Sequence, residues 1–275
     1  MTLYRSIIPA VVVLGLTTAC SKTQEASKTS ENTAQAEQAS YPDWTGKEAP
    51  APQSTVDPSA VAAIQAMSTY LAGLKTFKLN TVGTMDVVTA DGQRIQVDGT
   101  TQYEAKKPGI RIHYDSDIKK RDFYYDGKNF TTYSPALGFY STVPAPPTNK
   151  EFLDAVYDHY GIRLPLEDLF RWNDSRGERI SGLRSAGNLG TVTLDGVKTT
   201  HYAFREPDVD WEVWIDQGDK PLPRKLSIVD RTDPARPAFT TRLSWTVNPA
   251  LSDSDFTFKP GPDAKKIPMA EFHKE

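Results

Sequence analysis

Three Asp-Gly pairs, each lying between two runs of alternating apolar and polar residues, constrain the fold of this 275-residue chain most strongly. They are Asp91-Gly92, Asp126-Gly127 and Asp195-Gly196. Asp-Gly is a strong signal for a two-residue hairpin because both central positions of a type I′ turn need a positive φ. Hairpins join neighbouring antiparallel strands, so these pairs predict a sheet of consecutive hairpins rather than a parallel α/β fold.

Alternating apolar and polar residues fill most of the chain between these turns. Five such runs form a first meander, over residues 77–87, 95–103, 110–114, 123–125 and 130–133. Six more begin at residue 191, and the last of them is a short strand at Phe256 and Phe258. About eleven short strands with turn signals between them indicate a curved antiparallel sheet or half-open β-barrel. The predicted fold class is therefore mainly β with α (α+β).

An N-terminal helix and short inserted helices would cover one face of this sheet. Asp57 and Pro58 suit the cap and the first turn of a helix. An apolar stripe at three- and four-residue steps follows, formed by Val61, Ile64, Met67, Leu71 and Leu74. The same spacing predicts a helix over 150–160, with a short apolar segment after it at 164–170. Residues 134–149 are rich in proline, and we expect an irregular connection there.

The first twenty residues have the layout of a bacterial lipoprotein signal. Arg5 precedes an apolar run at 7–16, and Cys20, the one cysteine of the sequence, follows three small residues. The run is about ten residues long, well short of the roughly 20 that a membrane-spanning helix needs. We expect residues 1–19 to be the signal peptide and Cys20 to carry a lipid. An ordinary secretory signal cleaved nearby is the alternative.

Residues 20–56 differ in composition from the β domain expected over 57–275. They have no hydrophobic period and no large apolar residue before Tyr41, so they cannot bury enough surface to offset their ordering entropy. We therefore expect a disordered tether between the lipid anchor and the domain. Ser21 stands where an Asp favours the inner membrane in similar lipoproteins of enterobacteria. This predicts attachment to the periplasmic side of the outer membrane, with a soluble periplasmic protein as the alternative.

The sequence carries no motif typical of an enzyme. The four histidines are far apart, and the sequence has no metal-binding spacing, nucleophile elbow or glycine-rich phosphate loop. Every second residue from 206 to 212 is acidic, which permits Ca²⁺ binding. The apolar residues between them favour instead a solvated strand face that discourages edge pairing. A net charge of −3 without a basic patch argues against a nucleic-acid partner. We expect no catalytic residue, metal or cofactor.

Three short stretches resemble the LolA/LolB superfamily, the periplasmic lipoprotein carrier and its outer-membrane receptor. They are FYYDGK at 123–128, WID followed by PLPRKL within 214–226, and FTFKP at 256–260. The order of helix, meander, inserted helices and second run of strands is also similar. The resemblance covers roughly 57–268 and points to an uncharacterised branch of predicted periplasmic proteins. It implies a half-open barrel that receives a lipid or a lipoprotein acyl chain.

Large apolar side chains are the candidate ligand-binding residues, because small-molecule pockets are mostly apolar and favour barrel mouths. Inward-facing strand residues would line the cavity and the inserted segment would close it. The candidates are Ile112, Phe123, Tyr125, Phe139, Tyr140, Phe152, Val156, Leu166, Phe170, Trp211 and Val213. For most of them a position in the core is the alternative. The predicted function is non-enzymatic binding of a lipid or lipoprotein acyl chain; the alternative is a tethered module that senses or scaffolds envelope proteins.

Overall fold

The computed structural model describes residues 56–167 and 182–271, which form two α-helices and twelve β-strands. Helix α1 spans Pro58–Gly73 and helix α2 spans Asn149–Tyr160. The strands are β1 (Thr76–Val88), β2 (Arg94–Lys106), β3 (Ile110–Ser116), β4 (Lys120–Tyr125), β5 (Asn129–Ser134), β6 (Phe139–Pro144), β7 (Ser185–Leu194), β8 (Val197–Arg205), β9 (Val209–Asp216), β10 (Pro223–Asp230), β11 (Ala238–Val247) and β12 (Lys265–Lys266).

Part of the prediction falls outside the described residues. This is the case for the signal at 1–19, for Cys20, for the tether up to residue 55 and for Phe170. Within 56–167 and 182–271, no helix is long and apolar enough to cross a membrane.

All twelve strands belong to one curved sheet that does not close, in the order β12-β6-β5-β4-β3-β2-β1-β11-β10-β9-β8-β7. Every neighbouring pair is antiparallel except β12 with β6. The two meanders meet at β1, which pairs with β2 on one side and β11 on the other. The predicted α+β fold with a half-open antiparallel barrel is confirmed.

The three predicted hairpins all form, through two kinds of turn. At Asp195-Gly196 both residues have a positive φ, 49° and 80°, as a type I′ turn requires. At Asp91-Gly92 and Asp126-Gly127 only the glycine does, with φ 87° in each case, so the type I′ expectation is wrong there. In the second of these, the Asp126 carboxylate accepts hydrogen bonds from the amides of Lys128 and Asn129 at 2.9 and 2.7 Å. The aspartate side chain therefore stabilises the turn in place of type I′ geometry.

Helix α1 begins and packs as its sequence pattern predicts. The Asp57 carboxylate accepts a hydrogen bond from the Ser59 amide at 2.8 Å, which satisfies one free N–H of the first turn. Ile64, Met67 and Leu71 are buried against the concave face of the sheet. Burial of such side chains is worth roughly 1.5–3 kcal/mol each. The stripe thus holds α1 on the sheet.

The proline-rich segment forms a strand, contrary to the expectation of an irregular connection over 134–149. Phe139–Pro144 is β6, which pairs with β5 in the register Tyr133↔Tyr140. Proline is compatible with this strand because Pro144 stands at its last position, beyond the part of β6 that pairs with β12, so its missing N–H interrupts no second ladder.

The C-terminal strand is also placed differently from the prediction. Asp253–Phe256 is a 3₁₀ helix, and Phe258 lies in no strand. A reciprocal cap causes this, because the Ser252 amide donates to the Asp255 carboxylate at 2.7 Å and starts a helical turn. The chain then crosses to β6 and pairs there as β12 in parallel, with Lys265 opposite Phe139. The gain of β6 and β12 and the loss of this strand make twelve strands where about eleven were predicted.

Candidate functional site

A cavity of about 310 Å³ lies between the C-terminal end of α1, the first half of α2 and the adjoining parts of β1, β2 and β3. The turn after α2 completes its wall. The lining residues are Leu71, Ala72, Leu74, Lys75, Phe77, Tyr103, Ala105, Lys106, Lys107, Ile110, Ile112, Asn149, Lys150, Leu153, Leu164, Pro165 and Glu167.

The inner wall of the cavity is apolar, and a small residue makes the space. In the sheet register Ala105 lies between Phe77 on β1 and Ile110 on β3. Its methyl group occupies a position where both neighbouring strands carry a large side chain. Leu71 and Leu74 close the wall from the helix side, and both are buried. The arrangement leaves an apolar space where α1 ends.

Tyr103 places one polar group inside this apolar wall. Its side chain is only 4% exposed, and its hydroxyl has no hydrogen-bond partner among the described residues. Burial, together with the negative charge of Glu167, raises the pKa of Tyr103 well above its usual value. The hydroxyl therefore keeps its proton at neutral pH and remains a hydrogen-bond donor.

Glu167 is the second buried polar group of the cavity, at 7% exposure. The Leu164 amide donates to its carboxylate at 3.3 Å, and the Arg163 guanidinium lies 3.9 Å from it. Leu166, one residue earlier, has φ 56°, an uncommon conformation for a side chain of this size. These contacts fix a tight turn over the cavity.

Four lysines stand at the mouth of the cavity, whereas its inner wall is apolar. Lys106 pairs with Asp253, Lys150 pairs with Asp154 at 3.0 Å, and Lys107 donates to the carbonyl of Ala72 at the end of α1. Lys75 is exposed on the loop after α1. Glu167 is the single acidic residue among the described lining residues, which together carry a net charge of +3, opposite in sign to the whole chain. The site is thus apolar inside and cationic at its rim.

Of the residues predicted to bind a ligand, Ile112 lines this cavity. Tyr125, Phe152 and Val156 are buried in the core beside it. Phe123 is half-buried and stacks with the neighbouring Phe130 at 6.2 Å. Their contact with a ligand stays a prediction.

The remaining candidates are spread over other parts of the fold. Trp211 and Val213 are buried in the core on β9, and Leu166 packs against the core in the turn after α2. Phe139 is 38% exposed at the start of β6. Tyr140 belongs to the opposite face of the sheet, where its ring contacts that of Phe258 with centroids 5.1 Å apart. The structure therefore does not bring these candidates together in one pocket.

The sequence pattern does not single out the polar residues of the site. Tyr103 lies on one face of the predicted return strand, but nothing in the sequence marks its hydroxyl as unpaired. A tyrosine two residues before Ala105 on the buried face is the one local signal that is present. The lysines come together only because α1 and β2 end, and α2 begins, at the same cavity.

Three of the four acidic side chains at 206–212 have separate partners among the described residues: the Glu206 carboxylate accepts from the Trp211 indole at 3.0 Å, and Asp210 and Glu212 contact other side chains. Asp210 accepts two hydrogen bonds from Arg205, at 2.7 and 2.9 Å, and Glu212 contacts His201 at 2.7 Å. Within the described ranges no three acidic, histidine or cysteine side chains are arranged to hold a metal ion. Strand β9 lies between β8 and β10, so the expected role in edge protection is wrong.

An open, curved antiparallel sheet that carries two helices and an apolar cavity on one face defines a half-barrel protein of the α+β class. The family model described as "Predicted periplasmic protein (DUF2092)" matches residues 60–270, and the chain belongs to that family. No curated protein matches the chain.

Solved structures of similar architecture have low sequence identity to this chain. An uncharacterised conserved protein from Thermus thermophilus has 10% identity and a TM-score of 0.45, over 76% of this chain and 99% of that one. The lipoprotein LppX of Mycobacterium tuberculosis has 16% identity and a TM-score of 0.41, over 71% and 98%. A LolA superfamily protein from Nitrosomonas europaea has 12% identity and a TM-score of 0.31, over 72% and 97%.

Proposed function

We propose that this chain is a periplasmic protein that binds a hydrophobic ligand, a lipid or an acyl chain, in the cavity beneath α1 and α2 without chemically changing it. The observation that carries the proposal is the apolar cavity of about 310 Å³ between the two helices and strands β1, β2 and β3. Its volume lies at the lower end of the roughly 300–1,000 Å³ range of ligand pockets.

The size of the cavity supports an acyl chain as the ligand. A methylene group takes up about the space of one water molecule in the liquid, roughly 30 Å³, so the cavity has room for about ten methylenes. Burying ten methylenes at about 0.8 kcal/mol each contributes about 8 kcal/mol before the entropic costs of binding. This apolar contribution favours an acyl chain over a polar ligand of the same size.

The polar lining supports binding more than catalysis. Nucleophilic and general-base catalysis need a nucleophile and a base within hydrogen-bond reach of each other. Histidine, serine and cysteine are absent from the described lining, and Glu167 is engaged by the Leu164 amide. We therefore propose a carrier or receptor and not an enzyme.

We further propose that Cys20 carries the lipid anchor and holds the domain at the outer membrane through the tether at 20–56. A flexible coil of about 36 residues has an r.m.s. reach of roughly 30–36 Å, which lets the domain act away from its membrane. Labelled palmitate should enter the wild-type protein and not Cys20→Ala, and the variant should leave the membrane fraction. Membrane association that is unchanged in Cys20→Ala would exclude this anchor.

Substitutions of two alanines on α1 test whether the cavity is where the ligand binds. Ala72 lines the cavity mouth and Ala66 does not, while both are exposed on α1. Ala72→Trp should reduce uptake of a fluorescent fatty acid at least severalfold, and Ala66→Trp should leave it unchanged. Native mass spectrometry of protein purified from its own host should show a lipid adduct. Absence of both an adduct and any uptake by the wild type would refute the proposed function.

A further inference from the structure

We propose, on the basis of the proposed function, that the cavity selects an acyl ester bearing an acidic head group, such as an anionic glycerolipid, over a neutral lipid or a free fatty acid. In this arrangement the Tyr103 hydroxyl donates to the ester carbonyl inside the cavity, and the rim lysines hold the acidic head group at its mouth.

The unpaired hydroxyl of Tyr103 supports the first part of the inference, that the ligand brings an oxygen into the cavity. A buried donor without a partner is unfavourable, and native proteins pair nearly all such groups. Tyr103 lines the cavity, and the described residues offer its hydroxyl no acceptor. A ligand that brings an oxygen to this position satisfies the donor, whereas a plain hydrocarbon chain does not.

Glu167 decides which kind of oxygen fits beside Tyr103. Its negative charge acts on the tyrosine strongly enough to help raise the pKa of the phenol. The carboxylate of a fatty acid at the same place would be repelled by Glu167 in a region from which water is largely excluded. A neutral carbonyl oxygen accepts the hydrogen bond without this repulsion. Tyr103 and Glu167 together therefore favour an ester over a free acid in the interior.

The lysines at the mouth of the cavity support the other part of the inference, the acidic head group. Lys75, Lys106, Lys107 and Lys150 converge from three elements around one opening of a chain whose net charge is −3. Two of them have carboxylate partners, and the side chain of one partner, Asp253, is 91% exposed. In the other pair the Lys150 side chain is 55% exposed, so each pair has one largely solvated member and a lipid head group can compete for the lysine. The N-terminus of α2 at Asn149 adds a partial positive charge to the same opening.

One lipid can reach both kinds of polar group. Tyr103 precedes the rim residue Lys107, which contacts the end of α1, by four residues, or about 14 Å at roughly 3.4 Å per residue. Lys106, in contrast, lies at an odd separation from Tyr103 and pairs with Asp253. A glycerol unit places an ester carbonyl and a phosphate a few bonds apart, and flexible lysine side chains cover the remaining distance. A free fatty acid has a single polar end, which can reach Tyr103 or the lysines but not both.

Four ligands with the same chain length test this inference by calorimetric titration below their micelle concentrations. They are a 1-acyl-glycerol 3-phosphate, its 1-alkyl ether analogue, a monoacylglycerol and the free fatty acid. The wild type should bind the acyl phosphate most tightly. The ether should bind about 2- to 12-fold more weakly, which is the worth of one net hydrogen bond. The monoacylglycerol should bind at least several-fold more weakly, and its affinity should not depend on salt, in contrast to the two phosphates.

Two sets of variants separate the two contacts. Tyr103→Phe should weaken the acyl phosphate to the level of the ether and leave the ether unchanged. Lys75→Gln with Lys150→Gln should weaken both phosphates and leave the monoacylglycerol unchanged. Lys198→Gln with Lys220→Gln, an exposed pair outside the cavity lining, is the matched control and should change none of the affinities.

The outcomes distinguish this inference from the proposed function. Equal binding of ester and ether, with no effect of Tyr103→Phe, would overturn the role of Tyr103. Tightest binding of the monoacylglycerol, unaffected by the rim variants, would overturn the head-group selection while acyl binding itself stands. Failure of all four ligands to bind would remove the proposed function as well.

Discussion

The rings of Tyr125 and Phe152 stack with their centroids 3.9 Å apart and their planes 2° from parallel. This contact joins the end of β4 to the inserted helix α2. The Tyr125 hydroxyl donates to the Pro146 carbonyl at 2.6 Å, in the segment that leads into the helix. Phe130 on β5 adds a tilted contact with Phe152 at 5.2 Å. The stack thus fixes α2 on the sheet, and with it the α2 side of the cavity.

Phe152→Ala should lower the free energy of unfolding by about 3–5 kcal/mol, because it removes a fully buried aromatic ring and leaves a void. Urea denaturation followed by fluorescence measures this loss. Phe139→Ala is the control, since the Phe139 ring is partly exposed and its loss should cost less than about 1 kcal/mol. Equal losses in the two variants would show that the stack does not anchor α2.

Tyr103 and Tyr125 allow a comparison of two buried hydroxyls in one protein. Tyr125→Phe removes a hydrogen bond to Pro146 and should cost about 1–2 kcal/mol of unfolding free energy. Tyr103→Phe removes a hydroxyl that has no partner in the described part of the chain, so the ligand-free protein should be equally stable or slightly more stable. Chemical denaturation of delipidated protein gives both values. A cost for Tyr103→Phe as large as that for Tyr125→Phe would reveal an acceptor for the Tyr103 hydroxyl.

The parts of the fold that depend on residues close together in the sequence were predictable. The Asp-Gly turns, the apolar stripe of α1 and the helix over 150–160 follow from local spacing, and each forms nearly where it was expected. Strand β6 was missed because proline masks its alternation. Strand β12 is two residues long and owes its existence to pairing with β6, a contact between distant parts of the chain.

The candidate site depends much more on long-range contacts. Large apolar side chains at helical spacing pointed to Phe152 and Val156, but these side chains are buried in the core. The space itself exists because Ala105 is small where its cross-strand neighbours are large, which is visible only when the register is known. Charge at the rim likewise arises from residues far apart in sequence.

The two buried tyrosines also predict a loss of stability at high pH. Burial is the main reason that the pKa of Tyr125 is raised to about 12, and the nearby acidic groups Asp126 and Glu151 add to the effect. The pKa of Tyr103 is also raised. In the unfolded chain tyrosine loses its proton near pH 10. Between about pH 10 and about pH 12 the unfolded state therefore binds fewer protons than the native state, and stability falls as pH rises.

Urea midpoints across this pH range, with ultraviolet absorbance to detect tyrosinate, measure the effect. The decline should be shallower in Tyr125→Phe and in Tyr103→Phe than in the wild type. Tyr133→Phe is a control on the opposite face, where the ring contacts Phe258. A decline of the same slope in all four proteins would mean that other groups cause it.

Gly127 and Gly92 form a matched pair for testing how closely the β4–β5 turn packs against Pro108, which lies in the turn between β2 and β3. Both have φ 87°, so alanine at either position should cost about 1–2 kcal/mol for the left-handed backbone. A Cβ at Gly92 would meet nothing within 4 Å, whereas a Cβ at Gly127 would lie 2.8 Å from Cγ of Pro108. Gly127→Ala should therefore cost more unfolding free energy than Gly92→Ala. Because Pro108 directly follows the rim residue Lys107, Gly127→Ala should also weaken acyl-chain binding, and Gly92→Ala should not. Equal unfolding free energies in the two variants would show that the Pro108 contact contributes nothing to the fold.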